Sequence, residues 1–244
     1  IVQFSSHEMA RLSWTPAGTL TGSEAAKRRL QSLLYFALAW FGTAATLMLV
    51  VLSPLGLYFF GLASGTGAPE VGVSAPWVLL VAFSAVNLLI NALVAVLEGC
   101  GRVAEMALLR LVQAVASAAA LWSLLSAGGR LYAVGAASAM MAVAGIAGLT
   151  WRYSAFFADL LTHPRRLAGL DWRREVWPFQ WRIAVSFASG YLLTQLFNPL
   201  LLAIDGPVAA GQMGMSLQII GAMNGAALAW VTTKAPTYGQ LIAR

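Results

Sequence analysis

The chain has 244 residues, 59% of them hydrophobic and 10% charged, with a mean hydropathy of +0.75 and a formal net charge of +6. Ordinary soluble domains carry roughly 45–50% apolar residues, so this composition excludes a soluble globular domain and calls for an integral membrane protein. The single cysteine, Cys100, excludes an intramolecular disulfide, and the two histidines, His7 and His163, are too far apart for a metal-ligand spacing.

Residues 1–31 are polar enough for a cytoplasmic segment. The chain starts at Ile1 with no methionine and no leader-like n-region, so a fragment of a longer protein is expected. Within this segment "TGSE", Thr21 to Glu24, matches a capping box that starts a helix running through "AAKRRL" into the first apolar block. Six such blocks follow, at 32–58, 77–97, 106–126, 131–151, 183–203 and 208–231. Each has about the 20 residues that a helix needs to cross a ~30 Å hydrocarbon core. The lack of period-two alternation argues against a membrane β-barrel. The predicted fold class is therefore all-α, a polytopic membrane protein with six transmembrane helices.

In the first block Pro54 is expected to kink the helix or end its straight part, and Trp40 in mid-span reads as a packing residue. The connection "SAGGR" between the third and fourth blocks is so short that those helices should form an antiparallel pair. The longest internal break, 152–182, mixes aromatic and arginine residues, which suits either a segment lying on the inner membrane surface or a plain connecting loop. The chain thus divides into a cytoplasmic segment (1–31), four helices (32–151), a cytoplasmic linker (152–182) and two further helices (183–244).

Polar groups are costly in hydrocarbon, so their positions carry information. Ser84, Asn87, Asn91 and Glu98 share one face of the second span, and Arg110, Gln113 and Ser117 share one face of the third. These two faces are candidates to line one cavity. Arg110 has three readings: a side chain that snorkels to the headgroups, a cation facing an anionic substrate, or a member of an ion-pair cluster with Glu98, Arg102 and Glu105.

The fifth span carries Ser186, Gly190, Thr194 and Asn198 at steps of four, with Gln195 beside them. Ser186 and Gly190 form a small-xxx-small contact pair, and Asn198-Pro199 should interrupt the backbone bonding and permit a bend. In the sixth span Gly211, Gly214, Gln218, Gly221 and Gly225 form one narrow face, with Asn224 nearby. That face suits close helix packing or the wall of a wet cavity equally well.

Charge sets the orientation. With Ile1 in the cytoplasm, the inner segments collect Arg11, Lys27, Arg28, Arg29, Arg102, Arg110, Arg152, Arg165, Arg166, Arg173, Arg174, Arg182, Lys234 and Arg244, against Arg130 alone outside. This is a strong positive-inside bias, and it places both ends of the chain in the cytoplasm. The same distribution accounts for the net charge by attraction to anionic inner-leaflet lipids, so no nucleic-acid partner is needed. No Asp or Glu lies deep in a span, and no catalytic set, phosphate loop or metal motif is present, so an enzyme is not expected and neither is a cofactor.

The run from Glu175 to Arg244, with "PFQWRIA" (178–184), Gln195, Pro199, "AGQMGMS" (210–216), Trp230, Lys234, Pro236 and "GQLIAR", resembles the polysaccharide-biosynthesis O-antigen flippases of the multidrug/oligosaccharidyl-lipid/polysaccharide exporter superfamily. "EG" at 98–99 and "GR" at 101–102 are similar to that family's inner loop between its fourth and fifth helices. The resemblance implies a two-lobed fold of twelve or more helices. The six spans here would be its third to eighth helices, and 152–182 the linker between lobes.

It further implies the flipping of a polyprenyl-pyrophosphate-linked oligosaccharide across the bacterial cytoplasmic membrane, with other polysaccharide-assembly membrane proteins as partners. A fragment lacking the remaining helices should not transport by itself. On this view Asn87, Asn91, Gln113, Gln195, Asn198, Gln218 and Asn224 would offer hydrogen bonds to sugar, and Arg110 would meet the pyrophosphate. Pro54, Ser186, Gly190, Pro199, Gly211, Gly214, Gly221 and Gly225 would serve helix packing or gating. The alternatives are a cation-coupled multidrug exporter of the same superfamily and a membrane-embedded glycosyltransferase or polymerase.

Overall fold

The structure, a computed structural model, describes residues 1–64, 72–162 and 177–242, with side chains except at positions 3, 59–64, 162, 177–180, 183, 193–195, 198–199, 202–203, 207 and 229–242. It divides into two compact units, Ile1–Leu170 and Asp171–Arg244. The first contains α1 (Val2–Met9), a hairpin of β1 (Leu12–Trp14) and β2 (Leu20–Gly22), and four long helices: α2 (Glu24–Ser64), α3 (Ser74–Gly99), α4 (Val103–Ser126) and α5 (Tyr132–Thr162). The second contains α6 (Trp177–Gln195), α7 (Phe197–Ile204) and α8 (Pro207–Ile242).

Stretches long and apolar enough to cross a membrane occupy all four long helices of the first unit, at Glu24–Tyr58, Ser74–Gly99, Val103–Ser126 and Tyr132–Leu161. The protein is therefore an all-α membrane protein. The helices do not pack in chain order. α2 lies on α3, α3 on α5, and α5 on α4, whereas α3 and α4 touch little. α3 consequently buries the most, including Val81, Ala85, Ile90, Ala92, Val94, Val96 and Leu97, while α4 buries only Met106 and Gln113.

The third and fourth spans are packed neighbours, as the short connection required. Gly128, at φ +81, ends α4: its N–H bonds to the carbonyl of Leu125, and the N–H of Gly129 bonds to that of Leu124. These two bonds form a Schellman motif, which needs the left-handed backbone that glycine adopts at no steric cost. The same device ends α3, where Gly101 at φ +84 bonds to Glu98 and Arg102 bonds to Leu97.

Several boundaries differ from expectation. α2 keeps Pro54 inside it and runs on to Ser64, six residues past the expected end of its span at 58. Thr21 is no helix cap: it pairs with Ser13 in the hairpin, and the helix starts one residue after Ser23, whose carbonyl accepts the N–H of Lys27. α5 continues through Thr162, eleven residues past the expected end of its span; of the rest of the linker, 163–176 lie outside the described residues and 177–182 belong to α6. Trp40 is exposed and stacked on Phe36 one turn earlier, so it does not pack into the unit.

In the second unit the expected fifth span is two helices, broken at Leu196. Pro199 has no N–H to give to the carbonyl of Gln195, so the ladder lapses at the turn before it. Gly206 and Pro207 then start α8 with proline in its favoured first helical position.

At the end of the first unit far from the hairpin, the indole of Trp77 donates to the carbonyl of Leu52 at 2.9 Å and covers Gly56. A Cβ added at Gly56 would stand 2.0 Å from Trp77 Nε1. Gly56→Ala should therefore displace the indole, break its bond and cost about 1–2 kcal/mol, read as a lower unfolding midpoint in detergent.

Candidate functional site

Charged and polar side chains of the first unit gather where α2 and α4 begin and α3 and α5 end. Arg110 pairs with Glu98 at 2.6 Å, Arg102 with Glu105 at 2.6 Å, Arg152 with Glu105 at 3.8 Å, and Arg29 with Glu8 at 3.5 Å. Tyr153 donates its hydroxyl to Glu105. Lys27 reaches Asp159 at 2.8 Å, and this pair is the most buried, with side chains 14% and 18% exposed. Basic residues from Arg11 to Arg152 thus share one end of the unit, while Arg130 sits in the α4–α5 turn at the other.

Each turn there is built from sequence. Gly101 turns the chain after α3 and leaves the carbonyl of Cys100 free to accept the indole N–H of Trp14 at 2.9 Å. The Trp14 ring meets Tyr153 and Phe156 at centroid distances of 6.4 and 5.2 Å, and the Arg102 guanidinium lies 4.5 Å from its centre. A guanidinium on an indole face contributes about 0.5–2 kcal/mol depending on desolvation. α1 sits on the end of α3, where Gly99 is closed in by Ser5 and Val2: an added Cβ would stand 2.4 Å from Ser5 Cβ. α1 and the hairpin therefore form a strap across the helix ends. Beneath it, burial pushes the Cys100 thiol up to about 12 and keeps it protonated and unreactive.

The strap was not legible as such, although "TPAGT" at 15–19 carries a turn signal. Thr15 and Thr19 close that loop through their backbones and hydroxyls, and Gly18 takes φ +78. Spacing alone carries no signal for Trp14, Tyr153 or Asp159, and Lys27 shows there only as one of the inner-side cations.

The structure places the candidate cavity residues as follows. Asn87, 8% exposed, donates from Nδ2 to the carbonyls of Phe83 and Ser138, both at 2.9 Å, and its Oδ1 is buried without a hydrogen-bond partner. Gln113, 3% exposed, donates to the carbonyl of Met141 at 3.1 Å. Both amides therefore meet α5, which lies between α3 and α4, and they act there as interhelical hydrogen bonds. Asn91 is exposed on α3, and Arg110 is half-exposed with its guanidinium on Glu98. Of the three readings of Arg110, the ion-pair cluster is the one whose contacts are seen.

In the second unit Gln218 and Asn224 are exposed on α8, Ser186 is exposed on α6, and Gly214 is partly covered. A Cβ added at Gly190, Gly211, Gly221 or Gly225 would meet nothing within 4 Å. The glycine-and-amide face of α8 is thus open within its unit. The side chains of Gln195, Asn198 and Pro199 lie outside those described. Among the described residues no three His, Cys, Asp or Glu side chains come together in a way that would hold a metal ion. No protein-family model, curated protein or solved structure matches the chain.

Proposed function

We propose that this chain is part of a flippase that moves a polyprenyl-pyrophosphate-linked oligosaccharide from the inner to the outer leaflet of a bacterial cytoplasmic membrane. The observation that carries this is the face of α8. Gln218 and Asn224 are exposed there beside glycines whose missing side chains leave open space. If α8 crosses the membrane, an amide there costs free energy unless it is hydrogen-bonded, and a sugar headgroup supplies both donors and acceptors. The run from Glu175 to Arg244, on which the family resemblance rests, contains this face. The strap end would then face the cytoplasm, where exposed Arg11 and Arg28 attract anionic lipid headgroups.

The test is complementation of a strain deficient in O-antigen export. The full-length gene should restore surface polysaccharide, and Gln218→Leu should lower export at equal expression about fivefold or more, the worth of one hydrogen bond to cargo. Arg110→Ala should lower it too, either by removing a contact to pyrophosphate or by freeing Glu98. Drug resistance without surface polysaccharide would instead identify a multidrug exporter. Export restored by the gene and by both variants alike would leave the function standing and remove these residues from the path.

A further inference from the structure

We propose that the strap, α1 with the β1–β2 hairpin, is a reversible latch that closes over the α3–α4 turn, ties α3, α4 and α5 together, and undocks as a unit while the four helices stay folded. Trp14 is its bolt. One side chain engages two elements at once, the α3–α4 turn through the Cys100 carbonyl and Arg102, and α5 through Tyr153 and Phe156; Arg102, bound to Glu105, extends the link to α4.

Two observations make the latch reversible. The hairpin strands have three residues each, and a two-stranded hairpin of that size is not stable alone in water, so the strap holds its shape only while docked. Docking also leaves the Ser5 hydroxyl and Arg102 Nε buried without hydrogen-bond partners. Undocking exposes both to water, which offsets part of the lost contact. The hinge is Gly22, at φ +135, where a Cβ would stand 2.6 Å from the Arg11 carbonyl oxygen. The proposal holds whatever cargo the protein carries.

Cys100 is the chain's only thiol and is buried at the α3–α4 turn, where its carbonyl accepts the Trp14 indole N–H, so its alkylation reports opening of that turn. The full chain in membrane vesicles is alkylated with N-ethylmaleimide at fixed pH, with and without low urea. Slow labelling of the wild type at a rate insensitive to low urea is expected, as for a local opening. Trp14→Ala should label at least tenfold faster. Trp14→Phe, which keeps a ring but loses the indole donor, should label about threefold faster. Gly56→Ala, which weakens the opposite end, should stay within twofold of wild type. The latch is overturned if both Trp14 variants label at the wild-type rate, if Gly56→Ala accelerates labelling as much as Trp14→Ala, or if wild-type labelling climbs steeply with urea.

Discussion

Replacing Lys27 by methionine should destabilise the first unit by about 2 kcal/mol, because it takes the cation away from the Asp159 carboxylate in a site where both partners are largely buried. The Tyr35 hydroxyl also joins α2 to α5, donating to the Leu161 carbonyl at 3.1 Å. The ion pair therefore closes the row of helices at the strap end. Removing both charges, in Lys27→Met with Asp159→Leu, should restore most of the loss, since two apolar side chains of similar size need no compensation. Arg29→Ala supplies the contrast. Its partner Glu8 stands 3.5 Å away and the arginine is more than half exposed, so the expected loss is below about 0.5 kcal/mol. Equilibrium unfolding of the four proteins in one detergent checks the set, and a Lys27 effect no larger than that of Arg29 would show the pair to be solvated.

The long helices were legible because length and hydropathy alone determine whether a segment crosses a membrane. Their neighbours were not. A helical period identifies which face of α3 carries Asn87 and which face of α4 carries Gln113, but an amide that lines a cavity and one that bonds a neighbouring helix have the same spacing. Only the position of α5 between them, with the Ser138 and Met141 carbonyls in reach, decides what these two amides touch. The strap was hidden for another reason. Its strands are too short to carry a period, and their conformation follows from docking rather than from propensity. Thr21 shows the cost of reading such a segment locally: the capping-box pattern is present, yet its side chain lies in the strand ladder beside Ser13. On α8 the spacing of Gly211, Gly214, Gln218, Gly221 and Gly225 along one side was legible, because residues at three-and-four spacing lie on one side of any helix, but spacing does not say what that side touches.

The row order α2–α3–α5–α4 has its sharpest consequence at Gly145. There side chains of α3 and α4 converge on α5, and an added Cβ would stand 2.5 Å from Gln113 Nε2 of α4 and 2.9 Å from Ile90 Cγ2 of α3. Gly145→Ala can be absorbed on one side only. The end of Gln113 is flexible and can swing away at the loss of its bond to Met141, worth about 0.6 kcal/mol in a membrane interior, whereas the branched Ile90 side chain has no such freedom. The expected loss for alanine is about 1 kcal/mol, and for Gly145→Leu about 3 kcal/mol, through overpacking that separates α3 from α5. At Gly148 an added Cβ meets only the tip of Leu109, at 2.4 Å, a leucine end that can rotate, so Gly148→Ala should cost less than Gly145→Ala. Combining Gly145→Ala with Gln113→Ala should recover part of the loss, because the crowded atom is then gone. Unfolding midpoints for this series would reveal the order of the helices: if α3 packed directly on α4 with α5 outside them, Gly145 would face lipid and all of these substitutions would be close to neutral.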